Sequence, residues 1–171
     1  SNTMEFHFGE HSLHALLTDI YQAQRLCMPE GVRLRLDMPQ ADTPIVTDAS
    51  RLKQVVNNLI NNAAKFTDDG SITFRSPQGC EQVELFVHDT GKGIAQEHLD
   101  RIFERFYKAD SFVKGVGLGL SICRTITEYL GGAISVESES GKGTRFTIQH
   151  PLSRPEAAPP REPAGTAGMR Q

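Results

Sequence analysis

"NNLINNAAKFT", residues 57–67, decides how the chain is read. Leu59, Ile60 and Ala63 continue a helical spacing begun by Leu52, Val55 and Val56, forming one apolar stripe. Four asparagines crowd into positions 57–62 of the same helix. Asparagine is a weak helix former, because its amide competes for backbone hydrogen bonds. At roughly 100° per residue, Asn58, Asn62 and Lys65 fall on a second, narrow stripe at the edge of the apolar one. Asn57 and Asn61 are predicted to point further toward solvent, with no evident role. The edge stripe would line the wall of a cleft beside the core. An amide oxygen is a hard, neutral ligand suited to Mg²⁺. A lysine one turn away meets phosphate as a point charge. Taken alone, the stretch is explained as well by a solvated polar helix face.

Outward from this helix the chain alternates between two periodicities. Leu13, Leu16, Leu17 and Ile20 mark an earlier helix, stopped by "PEG" at 29–31. Val32, Leu34 and Leu36 alternate as a strand does. "SITF" at 71–74 and "VELFVH" at 83–88 are strand-like, as are "AISVES" at 133–138 and "TRFTIQ" at 144–149. Each of these two pairs reads as an antiparallel hairpin. Helices are predicted at about 96–106 and 118–130, the second stopped by Gly131 and Gly132. About five strands and four helices point to a two-layer α/β sandwich: a mixed five-stranded sheet under a helical layer. The first four residues, "SNTM", read as a cloning remnant, and 5–150 as one domain. Residues 151–171 turn rich in proline and alanine and are expected to form a disordered tail.

Composition excludes several functions. The net charge of -3, without a basic stripe, gives no case for nucleic acid. Cys27, Cys80 and Cys123 are far apart and odd in number, which suits free thiols better than a disulfide or metal framework. No apolar run reaches the ~20 residues of a membrane span, and no signal peptide is recognised. No membrane contact by this domain is expected.

Three glycine motifs carry the chemistry further. "HDTGKGI", residues 88–94, follows a strand directly; Gly91 and Gly93 build a tight turn that leaves Asp89 as an acceptor in a concave site. "GVGLGLSI", residues 115–122, opens a helix, so Gly115, Gly117 and Gly119 let the backbone approach an anion at the helix N-terminus. "GKGT", residues 141–144, lacks the earlier glycine of a P-loop and reads mainly as a hairpin turn.

The ordered set "NLINNAAKFT", "DTGKGI", "IFERFYKAD", "GVGLGLSI" and "GKGTRFTI" closely resembles the catalytic and ATP-binding domain of bacterial sensor histidine kinases. The resemblance covers about residues 5–150. It implies the Bergerat ATP-binding fold, with ATP and Mg²⁺ as cofactors. By resemblance, Asn62 holds Mg²⁺, Asn58 and Lys65 support the phosphates, and Asn62 with Lys65 act in catalysis. Phe66 would flank the adenine. Asp89 would accept from its amino group, with Gly91, Gly93 and Ile94 shaping the base pocket. Phe103 and Phe106 match a phenylalanine box that anchors a lid. Gly115, Gly117, Leu118, Gly119 and Leu120 match the second glycine box at the phosphates, and Thr144 touches the base through water. The implied partners are a dimerisation domain carrying the phosphoacceptor histidine and a response regulator. The implied location is cytoplasmic, in a parent protein that could be anchored in the inner membrane.

Two departures stand out. The lid, roughly "KADSFVK", is short, leaving Lys108, Lys114 and Arg124 as candidates for the γ-phosphate. His7, His11 and His14 lack an acceptor motif and read as surface or core histidines. Two rival readings stay open: an ATPase of the same fold that activates water, and a module that only holds nucleotide or a partner. The first needs a glutamate in the asparagine helix, and none lies between Asp48 and Asp68.

Overall fold

In a computed structural model of the chain, residues 5–76, 82–105 and 116–153 are described, the side chains of 116–118 excepted. The elements run β1 (Gly9–Ser12), α1 (Leu13–Gln24), β2 (Val32–Asp37), β3 (Pro44–Thr47), α2 (Ala49–Phe66) and β4 (Gly70–Arg75). They continue with β5 (Gln82–Asp89), α3 (Gln96–Leu99), α4 (Val116–Tyr129), β6 (Ala133–Glu139) and β7 (Gly143–Pro151).

The expected two-layer α/β sandwich is present. Five strands form a mixed sheet in the order β2-β4-β5-β7-β6. β2 runs parallel to β4, and the remaining pairs are antiparallel, including both predicted hairpins. Helices α1, α2 and α4 cover one face. Alternation along the strands sends Ile72, Phe74, Val83, Leu85, Val87, Phe146 and Ile148 into the same core as Val55, Leu59 and Ile60 of α2. The opposite face is polar, with ion pairs Arg75–Asp37 and Arg145–Glu137 across a concavity of about 920 Å³.

Local chemistry sets the helix ends. Ser12 Oγ accepts from Ala15 N–H at 3.1 Å and caps α1. Asp48 caps α2 through Arg51 N–H at 3.0 Å, and its second oxygen accepts from His7 N–H at 2.7 Å. Gly131 (φ 90) ends α4: its N–H bonds Glu128 O, and Gly132 N–H reaches back to Thr127 O at 2.9 Å.

Four expectations change. The helix predicted over 96–106 is one turn, α3, and residues 100–105 continue as turns. Two further strands, β1 and β3, pair antiparallel as a separate small sheet. Asn57 is half-buried rather than turned to solvent, and its Oδ1 accepts from Gln24 Nε2 of α1 at 3.0 Å. Order also persists past residue 150: Pro151 ends β7, Leu152 packs on the core, and Leu152 O accepts from Val46 N–H at 3.0 Å. Residues 154–171 lie outside the described residues.

His150, fully buried, fastens the small sheet to the large one. Its Nδ1–H donates to Pro151 O at 2.6 Å, which leaves Nε2 to accept the Thr47 hydroxyl at 2.9 Å. Burial holds its pKa below the usual histidine value, despite the carbonyl that favours the protonated form.

Candidate functional site

β5 presents Val83, Leu85, Val87 and Asp89 on its buried face, three apolar side chains and then an acid. Asp89 is 2% exposed. Gly91 N–H donates to its Oδ1 at 2.9 Å, and the Thr144 backbone N–H donates to the same carboxylate. Burial nonetheless raises its pKa; those two bonds and nearby His88 pull the other way without cancelling it. A carboxylate kept this dry with acceptor capacity to spare is built to meet a hydrogen-bond donor.

The turn after Asp89 is pressed against the end of α2. Lys92 N–H donates to Phe66 O at 3.1 Å, and a Cβ at Gly91 would run into that same carbonyl. On the other side, a Cβ at Gly143 (φ 118) would run into Asp89 O, so the β6–β7 hairpin closes directly over the acid. Ile94, half-buried, donates its N–H to Ser138 Oγ at 2.7 Å. Thr144, 3% exposed, lies opposite Asp89 in the β5–β7 pairing and bonds Ser138 Oγ at 2.8 Å. Asp89, Gly91, Ile94, Phe66 and Thr144 are thus drawn together, with Gly93 inside the turn.

On α2, Asn62 is buried and Asn58 half-buried, while Lys65 in the last turn is exposed. The Cys123 thiol of α4 donates to Val55 O of α2 at 3.8 Å, tying the two helices together close to Asn58. Burial pushes the Cys123 thiol up to about 11, which keeps it protonated and inert at neutral pH. Asn62 Nδ2 and Thr67 Oγ1 are buried with no hydrogen-bond partner among the described residues. Unpaired polar atoms of this kind mark where a polar ligand belongs. The space a Cβ at Gly119 would take is open to 4 Å, whereas Leu120 is buried in the core. Gly117 and Leu118 lie in the first turn of α4, and Gly115 falls outside the described residues.

Phe103 is half-buried and meets Phe146 edge to face, ring centroids 6.1 Å apart. Phe106, Lys108 and Lys114 lie outside the described residues, and Arg124 is exposed on α4. His7 is exposed, and His11 and His14 are half-buried. No group of three His, Cys, Asp or Glu suited to a metal occurs among the described residues. Mg²⁺ in nucleotide sites takes most of its ligands from water and substrate phosphates rather than from an all-protein cage.

Residues 47–154 match the histidine kinase-, DNA gyrase B- and HSP90-like ATPases. The chain belongs to that family. This histidine kinase-like ATPase domain is 46% identical over 114 residues to the sensor protein SrrB of Staphylococcus aureus, a match covering 64% of this chain and 19% of that relative. Its fold is similar to the catalytic domain of histidine kinase ThkA, with TM-score 0.75 and 30% identity over 87% of this chain and 98% of that one. It is also similar to full-length ShkA in complex with AMPPNP, with TM-score 0.79 and 29% identity over 90% of this chain and 33% of that one. The chain therefore spans 19% of the length of the curated relative it matches. No helix among the described residues of this ATPase domain is long and apolar enough to cross a membrane.

Sequence reading of the ATPase site missed Ser138 and Cys123. Ser138 sits in an ordinary alternating strand, and only the register that sets it opposite Thr144 reveals it. Cys123 looks like one more apolar position of α4, and only the packing of α4 on α2 brings it to Asn58.

Proposed function

We propose that this domain binds ATP with Mg²⁺ and supplies the γ-phosphoryl group to a histidine on a dimerisation domain outside this sequence. The observation that carries the reading is the pair of buried acceptors Asp89 and Thr144, whose turn packs on the end of α2, the helix on which Asn62 Nδ2 is buried without a partner among the described residues. Asp89 accepts from the adenine amino group. Phe66, Ile94 and the turn of Gly91 and Gly93 wall the base. Asn58, Lys65 and the N-terminal turn of α4, with Gly117 and Gly119, face the phosphates. Asn62 offers its amide oxygen to the metal. Bound Mg²⁺ neutralises charge on the phosphates; the chain's residues orient them and exclude water. That ShkA is seen with AMPPNP supports the nucleotide class.

No histidine here carries an acceptor motif, and no glutamate in α2 is placed to activate water. Transfer to a separate domain fits both facts. A response regulator is the proposed final acceptor, and the cytoplasm the proposed location. The test is incubation with γ-labelled ATP. The chain alone should bind nucleotide yet take up no label. Adding the parent's dimerisation helices should yield an acid-labile, base-stable phosphoprotein, slowly, because mixing lacks the effective concentration of one chain. Asn62→Ala should abolish that transfer. Stoichiometric label on the chain alone would overturn the reading and return His7, His11 and His14 to consideration.

A further inference from the structure

Ser138 Oγ meets three groups at once: Ile94 N–H at 2.7 Å, Gly143 O at 2.9 Å and Thr144 Oγ1 at 2.8 Å. A hydroxyl has one proton to give and two lone pairs to receive with. The Ile94 amide can only donate, and the Gly143 carbonyl can only accept. The Ser138 proton therefore goes to Gly143, one lone pair receives Ile94, and the other receives the proton of Thr144. Thr144 is left with lone pairs alone. It stands opposite Asp89, to whose carboxylate its own backbone N–H is bonded. Asp89 and the Thr144 hydroxyl thus face this corner as acceptors.

We propose that Ser138 is a specificity-determining residue: by taking the Thr144 proton it holds Thr144 as an acceptor beside Asp89 and so selects a purine bearing an exocyclic amine over one bearing a carbonyl. The proposal rests on the ATP-binding reading above and deepens it. An amino group has two protons, enough for Asp89 and for Thr144, directly or through a water. A ring carbonyl would add a third acceptor to a corner that already has two. Without Ser138 Oγ, the Thr144 hydroxyl rotates and offers its proton to that carbonyl.

The test compares affinities for ADP and inosine diphosphate by calorimetry; the two bases differ by amine against carbonyl at position 6 and by a lone pair against an N–H at N1, the same for every variant compared. The wild-type chain should prefer ADP. In Ser138→Ala the preference should shrink by about tenfold, the worth of one hydrogen bond gained or lost. Ser138→Thr keeps the hydroxyl and should keep the preference. Thr144→Val removes the hydroxyl and should also shrink it, with Ser138→Ala adding nothing further on that background. Equal weakening of both nucleotides in Ser138→Ala would mean that Ser138 only braces the hairpin, and would overturn the proposal. Should Ser138→Ala fail to fold, Thr144→Val decides: an unchanged preference there overturns the proposal, because Ser138 acts only through Thr144. Wild-type chain that bound neither nucleotide would overturn the ATP-binding reading itself, an outcome distinct from an unchanged ratio in the variants.

Discussion

Asp89 and His150 are both buried in the sheet layer, and they answer to pH with opposite signs. The folded pKa of Asp89 lies above the ordinary 3.8, so on acidification the native state takes up its proton before the unfolded chain does. Its contribution to stability is full below 3.8 and is lost as pH rises through the raised value. Nucleotide binding runs the other way, because a protonated Asp89 no longer offers a free carboxylate. Affinity for ADP should fall as pH drops through that value, and Asp89→Asn should flatten the fall; calorimetry across the acidic range reads it. The folded pKa of His150 lies below 6.5, so the unfolded chain protonates first. That stability is complete above 6.5 and drains away as pH falls toward the depressed folded value. Thr47→Val leaves His150 Nε2 buried and unpaired, at a cost of about 1–3 kcal/mol, measurable by urea unfolding at neutral pH. An unchanged midpoint would show that the Thr47–His150 bond does not hold the small sheet.

At the scale of elements, α2 carries both the core and the ligand wall, and its start and its flank are fastened separately. Asp48→Ala removes the cap and the His7 bond together and should cost about 1–2 kcal/mol. Asn57→Ala loses only the bond to Gln24, about 1 kcal/mol, and should leave ADP affinity unchanged. A tighter or weaker ADP complex in that variant would move Asn57 into the site. These elements also mark how far sequence reaches. The stripe of α2 and the alternation of β5 are strong local signals, so both were legible, and so were the asparagines as ligand candidates. β1 and β3 were not: four residues each, one polar and one opening on proline, they exist through pairing with each other. α3 misled because Ile102 and Phe103 continue a helical spacing, yet the backbone leaves the helix at Asp100 and buries Ile102 from a turn. Asn57 misled because a wheel treats one helix alone, and Gln24 reaches it from another. In the site, Asp89 and the glycines were readable from the turn they make. Ser138 depends on a hairpin register that no local pattern encodes.

Across the whole molecule, the end of β7 closes the domain on its small sheet. Ending the chain at His150 deletes Pro151 and Leu152, with the carbonyls that His150 and Val46 bond. It should lower the melting temperature by several degrees, since about 1 kcal/mol is worth ~2–4 °C in a domain of this size. Ending it after Ser153 should change little, because the remaining segment has few apolar side chains to dock. Thermal melts of the two truncations separate these outcomes, and equal melting temperatures would deny Leu152 its part.

The strand order has a consequence for how the protein comes off the ribosome. β7 is the last strand of the sheet to be synthesised, yet it lies inside the sheet, between β5 and β6. Until it arrives, β5 and β6 each wait with an open edge, and Asp89 has no Thr144 beside it. Nucleotide cannot act as a folding template for the nascent chain, because the adenine corner does not exist until translation has passed residue 144. The sheet therefore closes only once β7 has left the ribosome. A message cut short within β7 would release a chain with two sticky edges and no ligand to rescue it.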